Sequence, residues 1–409
     1  MTGAIGIRCD AGVRSGLGHL VRCVALAEEL CARGMEVRFL GNLAGSPWAR
    51  TQLLERGLPL LPAPARPDRL AGLVRDLGLG AVVLDSYELP PGTGAAIRAT
   101  GAAVLAIIDG DHLGQEADLY LDQNLGAELR PFPMFAERLA GARYVLLRDS
   151  VRDLRDLRGP AGYGAAAGRA AGYGAAAGRA AGDGAAGYGA AAGRAAGDGA
   201  AGDGAAGDGA AGYGAAAGRA AGDGAAADRG AGGKGAGDGP AGDRGAGDRG
   251  SVPRVLCCFG GTDSAGVAPA WTRALLDTGL PFRATVVTPR KFRADGPVTV
   301  IPPTDRLPQL MAEADLVVSA AGSTVWELLY LGVPTALTWV AANQLVGYEP
   351  LVRDGIAAGL GPRADAAAIE ALARLLADAG LREKYGRRGS GLIDGRGRER
   401  VADALLTLR

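Results

Sequence analysis

The chain has 409 residues, enough for two ordinary domains. Its 44 Lys plus Arg equal its 44 Asp plus Glu, so charge supplies no reason to expect a nucleic-acid or anionic-membrane partner. Five cysteines with no C-x-x-C pair, beside two histidines, argue against a zinc motif and fit a reducing compartment; no metal and no cofactor are expected.

At the start of the chain Arg8 and Asp10 interrupt the apolar run, so no signal peptide is expected. Residues 5–8 read as a short strand. Leu20, Cys23, Ala27 and Leu30 then recur at helical spacing, with Gly34 as the C-cap. Residues 37–40, 81–84 and 103–108 are continuous apolar runs, as expected of parallel strands buried on both faces.

Residues 159–250 break this pattern. They hold no Leu, Ile, Val, Phe, Met or Trp, and A-G-Y-G-A-A-A-G-R-A recurs from Ala161, Ala171, Ala186 and Ala211. With a Gly every two or three residues and no large side chain to build a core, chain entropy wins, and a disordered insert is expected. After it the first scheme returns, with strands at 255–259, 284–287, 316–319 and 335–338. The most apolar stretch, 328–342, is too short and too broken by Gly332 and Pro334 to span a bilayer. The expected organisation is an N-terminal domain at 1–158, the insert at 159–250 and a C-terminal domain at 251–409. Each domain is a doubly wound α/β sheet, and the chain reads as a soluble cytoplasmic protein.

Ligands bind such sheets beyond the carboxyl ends of the strands, so three loops stand out. The first, Ser15-Gly16-Leu17-Gly18-His19, joins strand one to helix one. It lacks the third glycine of a dinucleotide fingerprint, and no acidic residue closes the second strand, which disfavours a dinucleotide. His19 stands at the ligand edge, and an imidazole there suits a general base; the plainer reading is a packing or capping histidine. The second, Phe259-Gly260-Gly261-Thr262-Asp263, is a glycine turn into a helix. The third is Ser319-Ala320-Ala321-Gly322-Ser323-Thr324, with Glu327 one turn on. It suits a diphosphate at a helix N-terminus with a carboxylate for ribose, or a simple capping box. Asn343 and Gln344 follow the next strand and carry the donors and acceptors that read sugar hydroxyls.

These residues resemble a family of UDP-2,4-diacetamido-2,4,6-trideoxy-β-L-altropyranose hydrolases of pseudaminic acid biosynthesis, which includes spore-coat polysaccharide proteins. The resemblance runs from Arg8-Cys9-Asp10 and Gly18-His19-Leu20-Val21-Arg22-Cys23 through Asp85-Ser86-Tyr87, Ile107-Ile108-Asp109, Asp118-Leu119 and Tyr144-Val145-Leu146-Leu147-Arg148. It resumes at Gly260-Gly261-Thr262-Asp263, then Ala320 to Thr324 with Glu327, Asn343-Gln344 and Ile393-Asp394-Gly395. It implies a GT-B architecture: two Rossmann-like domains facing across a cleft, related to the undecaprenyl-muramoyl-pentapeptide N-acetylglucosaminyltransferase. It implies His19 as the base that activates water at the anomeric carbon of a UDP-sugar, releasing UDP with inversion. Gly260, Gly261, Ala321, Gly322, Ser323 and Thr324 would hold the nucleotide, Glu327 the ribose, and Arg8, Asp10 and Arg22 the sugar pocket, while Gly16 and Gly18 let the backbone approach the substrate closely. Arg22 has the plainer alternative of pairing with a helix carboxylate.

The chain departs from the family at Gly266 and Ala268, at Ala342 where a carboxylate is lost, and at Gly110, with Asp111-His112 displaced along the loop. The leading expectation is a monomeric UDP-sugar hydrolase acting on a small-molecule substrate. A GT-B glycosyltransferase using a UDP-sugar donor, or a non-catalytic UDP-sugar binding protein, are the alternatives.

Overall fold

Short apolar runs buried on both faces build the two sheets. Every residue of β1 (Ala4–Cys9) is buried, as are those of β5 (Ala103–Ile107), β11 (Leu316–Ala320) and β12 (Thr335–Thr338). The computed structural model describes residues 3–9, 11–12, 16–43, 46–133, 136–158 and 252–408. The disordered repeat expected at 159–250 lies outside them.

The first lobe runs β1, α1 (Gly18–Ala32), β2 (Val37–Leu40), α2 (Pro47–Glu55), β3 (Leu60–Leu61), α3 (Pro67–Asp76), β4 (Leu79–Asp85), α4 (Thr93–Arg98), β5, β6 (Leu119–Asp122), β7 (Glu137–Ala140) and α5 (Asp149–Arg152). The second begins with β8 (Arg254–Cys258), α6 (Ala268–Asp277), β9 (Arg283–Val287), β10 (Val298–Ile301) and α7 (Leu307–Glu313). It continues through β11, α8 (Thr324–Tyr330), β12, α9 (Leu345–Arg353), β13 (Ala358–Gly359), α10 (Ala366–Ala377), α11 (Ala379–Ser390) and α12 (Gly397–Thr407). Strand orders are β3-β2-β1-β4-β5-β6-β7 and β10-β9-β8-β11-β12-β13, with parallel pairing throughout. The expected pair of doubly wound α/β domains is the fold observed. The runs read from the sequence all form strands; β3, β6, β7, β10 and β13, two to four residues each, carry too little apolar run to stand out.

Strand order reverses between β1 and β4 in one sheet and between β8 and β11 in the other. A crevice opens at such a point because successive crossovers pass to opposite faces. The register there sets Cys9 beside Asp85 and Cys258 beside Ser319. The carboxyl ends of β1 and β4, and of β8 and β11, therefore lie side by side. Helix starts use ordinary devices: Ser46 accepts from the Ala49 N–H ahead of Pro47, and Asp365 and Asp378 cap α10 and α11. At the end of α1, Gly34 adopts φ +78°, the conformation that lets the chain turn back toward β2.

The last segment of each lobe packs on the other lobe. On α12, Val401, Ala402 and Leu405 join the apolar core formed by Leu20, Cys23, Ala27 and Leu30 of α1. A Cβ at Gly397 would lie 2.2 Å from the Val145 carbonyl oxygen, so this helix begins where only glycine fits. Arg398 is buried among Glu28, Glu29 and Asp149, at 3.3, 3.2 and 2.6 Å. Conversely Val145, Leu147, Val151 and Leu154, which end the first lobe, pack into the core around Trp326 and Leu328 of α8.

Candidate functional site

A cleft of about 520 Å³ separates the two reversal points and draws its walls from both lobes. The glycine loops meet at its floor. A Cβ on Gly18 would lie 2.3 Å from Ser323 Oγ, and one on Gly261 would lie 2.3 Å from Leu17 Cδ1. Small residues at these positions let the lobes touch, and any side chain there would wedge them apart.

On the first lobe His19 sits in the opening turn of α1, buried, with Nδ1 lacking a hydrogen-bond partner. Nδ1 faces Asp85 Oδ1 at 3.8 Å, beyond hydrogen bonding but within reach of an ion pair once the ring is protonated. Tyr87 packs edge-on to the imidazole at 4.6 Å between centroids. Beneath them Arg22 is buried and clamps two carboxylates. It donates from Nε and Nη2 to Asp85 at 2.7 and 2.6 Å, and from Nη1 to both oxygens of Asp109 at 3.1 Å. Asn124 donates to Asp109 at 2.9 Å, and the Tyr87 hydroxyl donates to the same carboxylate.

Burial opposes charge on both carboxylates, but the facing cations outweigh it. Arg22 and His19 hold Asp85 below the usual carboxylate range. Arg22, the Tyr87 hydroxyl and Asn124 hold Asp109 at about 2. Burial and the Asp109 charge push the Tyr87 phenol well up, so it remains a donor. One guanidinium against two carboxylates leaves one negative charge in excess, which is the complement of an imidazolium at His19.

The second lobe is built differently. Gly260, Gly261, Ala321, Gly322, Ser323, Thr324, Asn343 and Gln344 all line the cleft. Ser323 starts α8 without a side-chain capping bond, so its hydroxyl is not consumed by the helix, and the capping-box alternative does not hold. Asp263 is consumed. Held at φ +40°, it accepts from the Val267 and Ala268 N–H groups and from Thr288 Oγ1, tying the glycine turn to α6. Gln344 accepts from the Val340 N–H, and Asn343 reaches across the cleft to Tyr87. Cys258 also lines the cleft, but burial pushes its thiol up to about 12, which keeps it neutral and unreactive. Glu327 is buried and paired with the equally buried Arg148.

Of the residues singled out from sequence, Gly16, Gly18, His19, Arg22, Gly260, Gly261, Ala321 to Thr324, Glu327, Asn343 and Gln344 reach the cleft, while Asp263 and Ser319 do not. Arg8 does not: it is buried within β1, under the sheet's end rather than at it. Asp10 lies outside the described residues. Arg22 holds the carboxylates beneath His19, nearer to the plainer alternative than to a sugar contact, although its partners are on β4 and after β5 rather than on a helix. Asp85, Tyr87, Asp109, Asn124 and Arg148 were not assigned to the site from sequence. Their signal was position, since Asp85 ends β4 and Tyr87, Asp109 and Asn124 follow β4, β5 and β6 at the ligand edge. The second histidine, His112, packs near Tyr120, 6.2 Å between centroids. Among the described residues no group of three or more His, Cys, Asp or Glu is placed to hold a metal ion, and no helix is long and apolar enough to cross a membrane.

Residues 285–342, less than half of the chain, match the glycosyltransferase family 28 C-terminal domain. Among curated proteins none matches the chain in sequence. The structure of Acinetobacter baumannii MurG is similar with a TM-score of 0.57 at 14% identity, covering 99% of this chain and 100% of that one. Spinosyn forosaminyltransferase SpnP gives 0.55 at 13%, covering 99% and 100%. The Streptomyces sp. SF2575 glycosyltransferase SsfS6, complexed with thymidine diphosphate, gives 0.53 at 13%, covering 98% of each chain. At these identities the likeness establishes the fold, which is GT-B.

The resemblance to the UDP-sugar hydrolase family is corrected by these findings, and with it the expectation of a hydrolase in pseudaminic acid or spore-coat polysaccharide synthesis. The matching family model is that of a glycosyltransferase, and so are the similar structures. The physical reason is that a proton acceptor and glycine loops at strand ends would serve water and a hydroxyl acceptor alike, so motifs of that kind do not distinguish hydrolysis from transfer.

Proposed function

We propose that this chain is a GT-B glycosyltransferase that moves a sugar from a nucleoside-diphosphate donor to a hydroxyl acceptor. The first lobe supplies the base and the second holds the nucleotide. The observation that carries the reading is His19, its Nδ1 turned toward Asp85 while the ring faces uncommitted glycine and hydroxyl loops across the cleft.

With Nδ1 toward Asp85, Nε2 on the far side of the ring takes the acceptor's proton. The acceptor oxygen attacks the anomeric carbon, and the bond from that carbon to the diphosphate oxygen breaks with inversion. The electron pair leaves with the nucleoside diphosphate. The ionised Asp85 and Asp109 stabilise the imidazolium as it forms. On the other side, loop N–H groups after β8 and the Ser323 and Thr324 hydroxyls receive the charge growing on the leaving diphosphate. Glu327 accepts from the nucleotide's ribose, and Asn343 and Gln344 read the donor sugar. Support for transfer comes from the family-28 domain match and the glycosyltransferase neighbours, one of them solved with a nucleoside diphosphate.

The test is acceptor dependence. The full chain is incubated with panels of UDP- and TDP-sugars, with and without hydroxylated acceptors, and nucleoside diphosphate and glycoside are followed by mass spectrometry. Diphosphate release that rises with acceptor and matches glycoside formation is expected. Release at the same rate without any acceptor, yielding free sugar, overturns the reading.

A further inference from the structure

We propose that Arg148 is a positioning residue that presents Glu327 to the nucleotide's ribose, so that a first-lobe side chain sets the second lobe's preference for a ribonucleotide. This rests on the reading of Glu327 as the ribose contact.

The geometry is specific. A guanidinium commonly meets a carboxylate fork to fork, one N–H to each oxygen. Here Arg148 Nε and Nη2 both donate to Oε1 of Glu327, at 2.9 and 2.7 Å. The second oxygen, Oε2, takes neither bond, and Glu327 lines the cleft. Both partners are almost wholly buried, at 6% and 3% exposure, so neither charge is satisfied by bulk water. The pair therefore spends one carboxylate oxygen on holding the side chain still and keeps the other for a hydroxyl donor.

Arg148 is itself held. It caps the start of α5 with extended backbone, between Val145 and Leu147 on one side and Val151 and Leu154 on the other, all four in the core around Trp326. The flanking segment is thus packed on the very helix that carries Glu327. The guanidinium arrives from sequence 179 residues away but has little freedom to leave. A carboxylate fixed in this way can tell two adjacent hydroxyls from one, because a site built to accept a hydroxyl proton is left unpaired when that hydroxyl is missing.

The experiment is calorimetry of the full chain with UDP and with 2′-deoxy-UDP, comparing the unaltered protein with Arg148→Lys, Arg148→Gln and Glu327→Gln. The unaltered protein should bind UDP about tenfold or more tightly than its 2′-deoxy analogue. All three variants should bring that ratio to within about threefold while 2′-deoxy-UDP affinity changes less. Arg148→Lys keeps the buried charge and guards against a loss of folding in Arg148→Gln. If Arg148→Lys keeps the full ratio, or weakens both nucleotides equally, the proposal is wrong; the second result makes Arg148 a phosphate contact instead. Equal binding of the two nucleotides by the unaltered protein also sinks it, yet leaves the glycosyltransferase reading intact. If neither nucleotide binds, the nucleotide reading fails first and the proposal falls with it.

Discussion

The two walls of the cleft solve different electrostatic problems with different residues. The first lobe links Arg22, Asp85, Asp109 and the partly exposed Tyr87 in one hydrogen-bonded network, with His19 Nδ1 3.8 Å from Asp85. The second lines the cleft with Gly260, Gly261, Gly322 and Ser323, which carry little side chain. A proton acceptor needs a fixed tautomer and a counter-charge, which only a rigid network provides. A diphosphate needs close approach of N–H groups, which bulky side chains would prevent. On the proposed reading the difference concentrates chemistry on one wall and recognition on the other.

The sharpest way to break this contrast is to remove the base. His19→Ala should lower turnover about 10²–10⁴-fold while nucleoside-diphosphate affinity changes little, measured by steady-state kinetics and calorimetry. An equal loss in both would place His19 in recognition instead.

A smaller effect tests whether the walls must touch. Gly261→Ala puts a methyl against Leu17 Cδ1, 2.3 Å from the ideal Cβ. Turnover should fall about tenfold, in line with ordinary overpacking. Leu17→Ala in the same chain should restore most of it, because the obstructing atom is the end of a side chain. Undiminished turnover in the single variant would show that the two loops are not apposed during the reaction.

The smallest effect concerns stability. Asp109 ionises at about 2 in the fold against an ordinary 3.8. A depressed carboxyl contributes stability that is complete above about pH 4 and is lost as pH falls toward 2, here roughly 2 kcal/mol. Asp85 is shifted in the same sense. Denaturant melts between pH 5 and pH 2.5 should therefore steepen in the unaltered protein and flatten in Asp109→Asn. Identical slopes would show that the network is not ionised as described.

Much of the second wall was legible in sequence, because its signal is local. Gly260-Gly261 and Gly322-Ser323-Thr324 each sit directly between a strand and a helix. His19 was legible for the same reason. The rest of the first wall was not, because Asp85, Asp109 and Asn124 sit at the ends of three different strands and become neighbours only through strand order. Arg8 misled because a residue inside β1 and one at its end look alike in sequence, yet Arg8 is buried within the strand and does not line the cleft. The hydrolase expectation failed for a different reason, since a proton acceptor and glycine loops fit water and a hydroxyl acceptor alike.

By itself the sequence determined two parallel α/β sheets, the loops that carry glycine at strand ends, and the repeat between them. These follow from apolar runs and backbone freedom, which act over a few residues. Tertiary structure alone decided that α12 returns to pack on α1, that Arg22 serves Asp85 and Asp109, and that Arg148 clasps Glu327 from the opposite lobe. Those contacts join residues 63 to about 370 positions apart. No local preference encodes such a pairing; it exists only once both sheets have formed and been packed together.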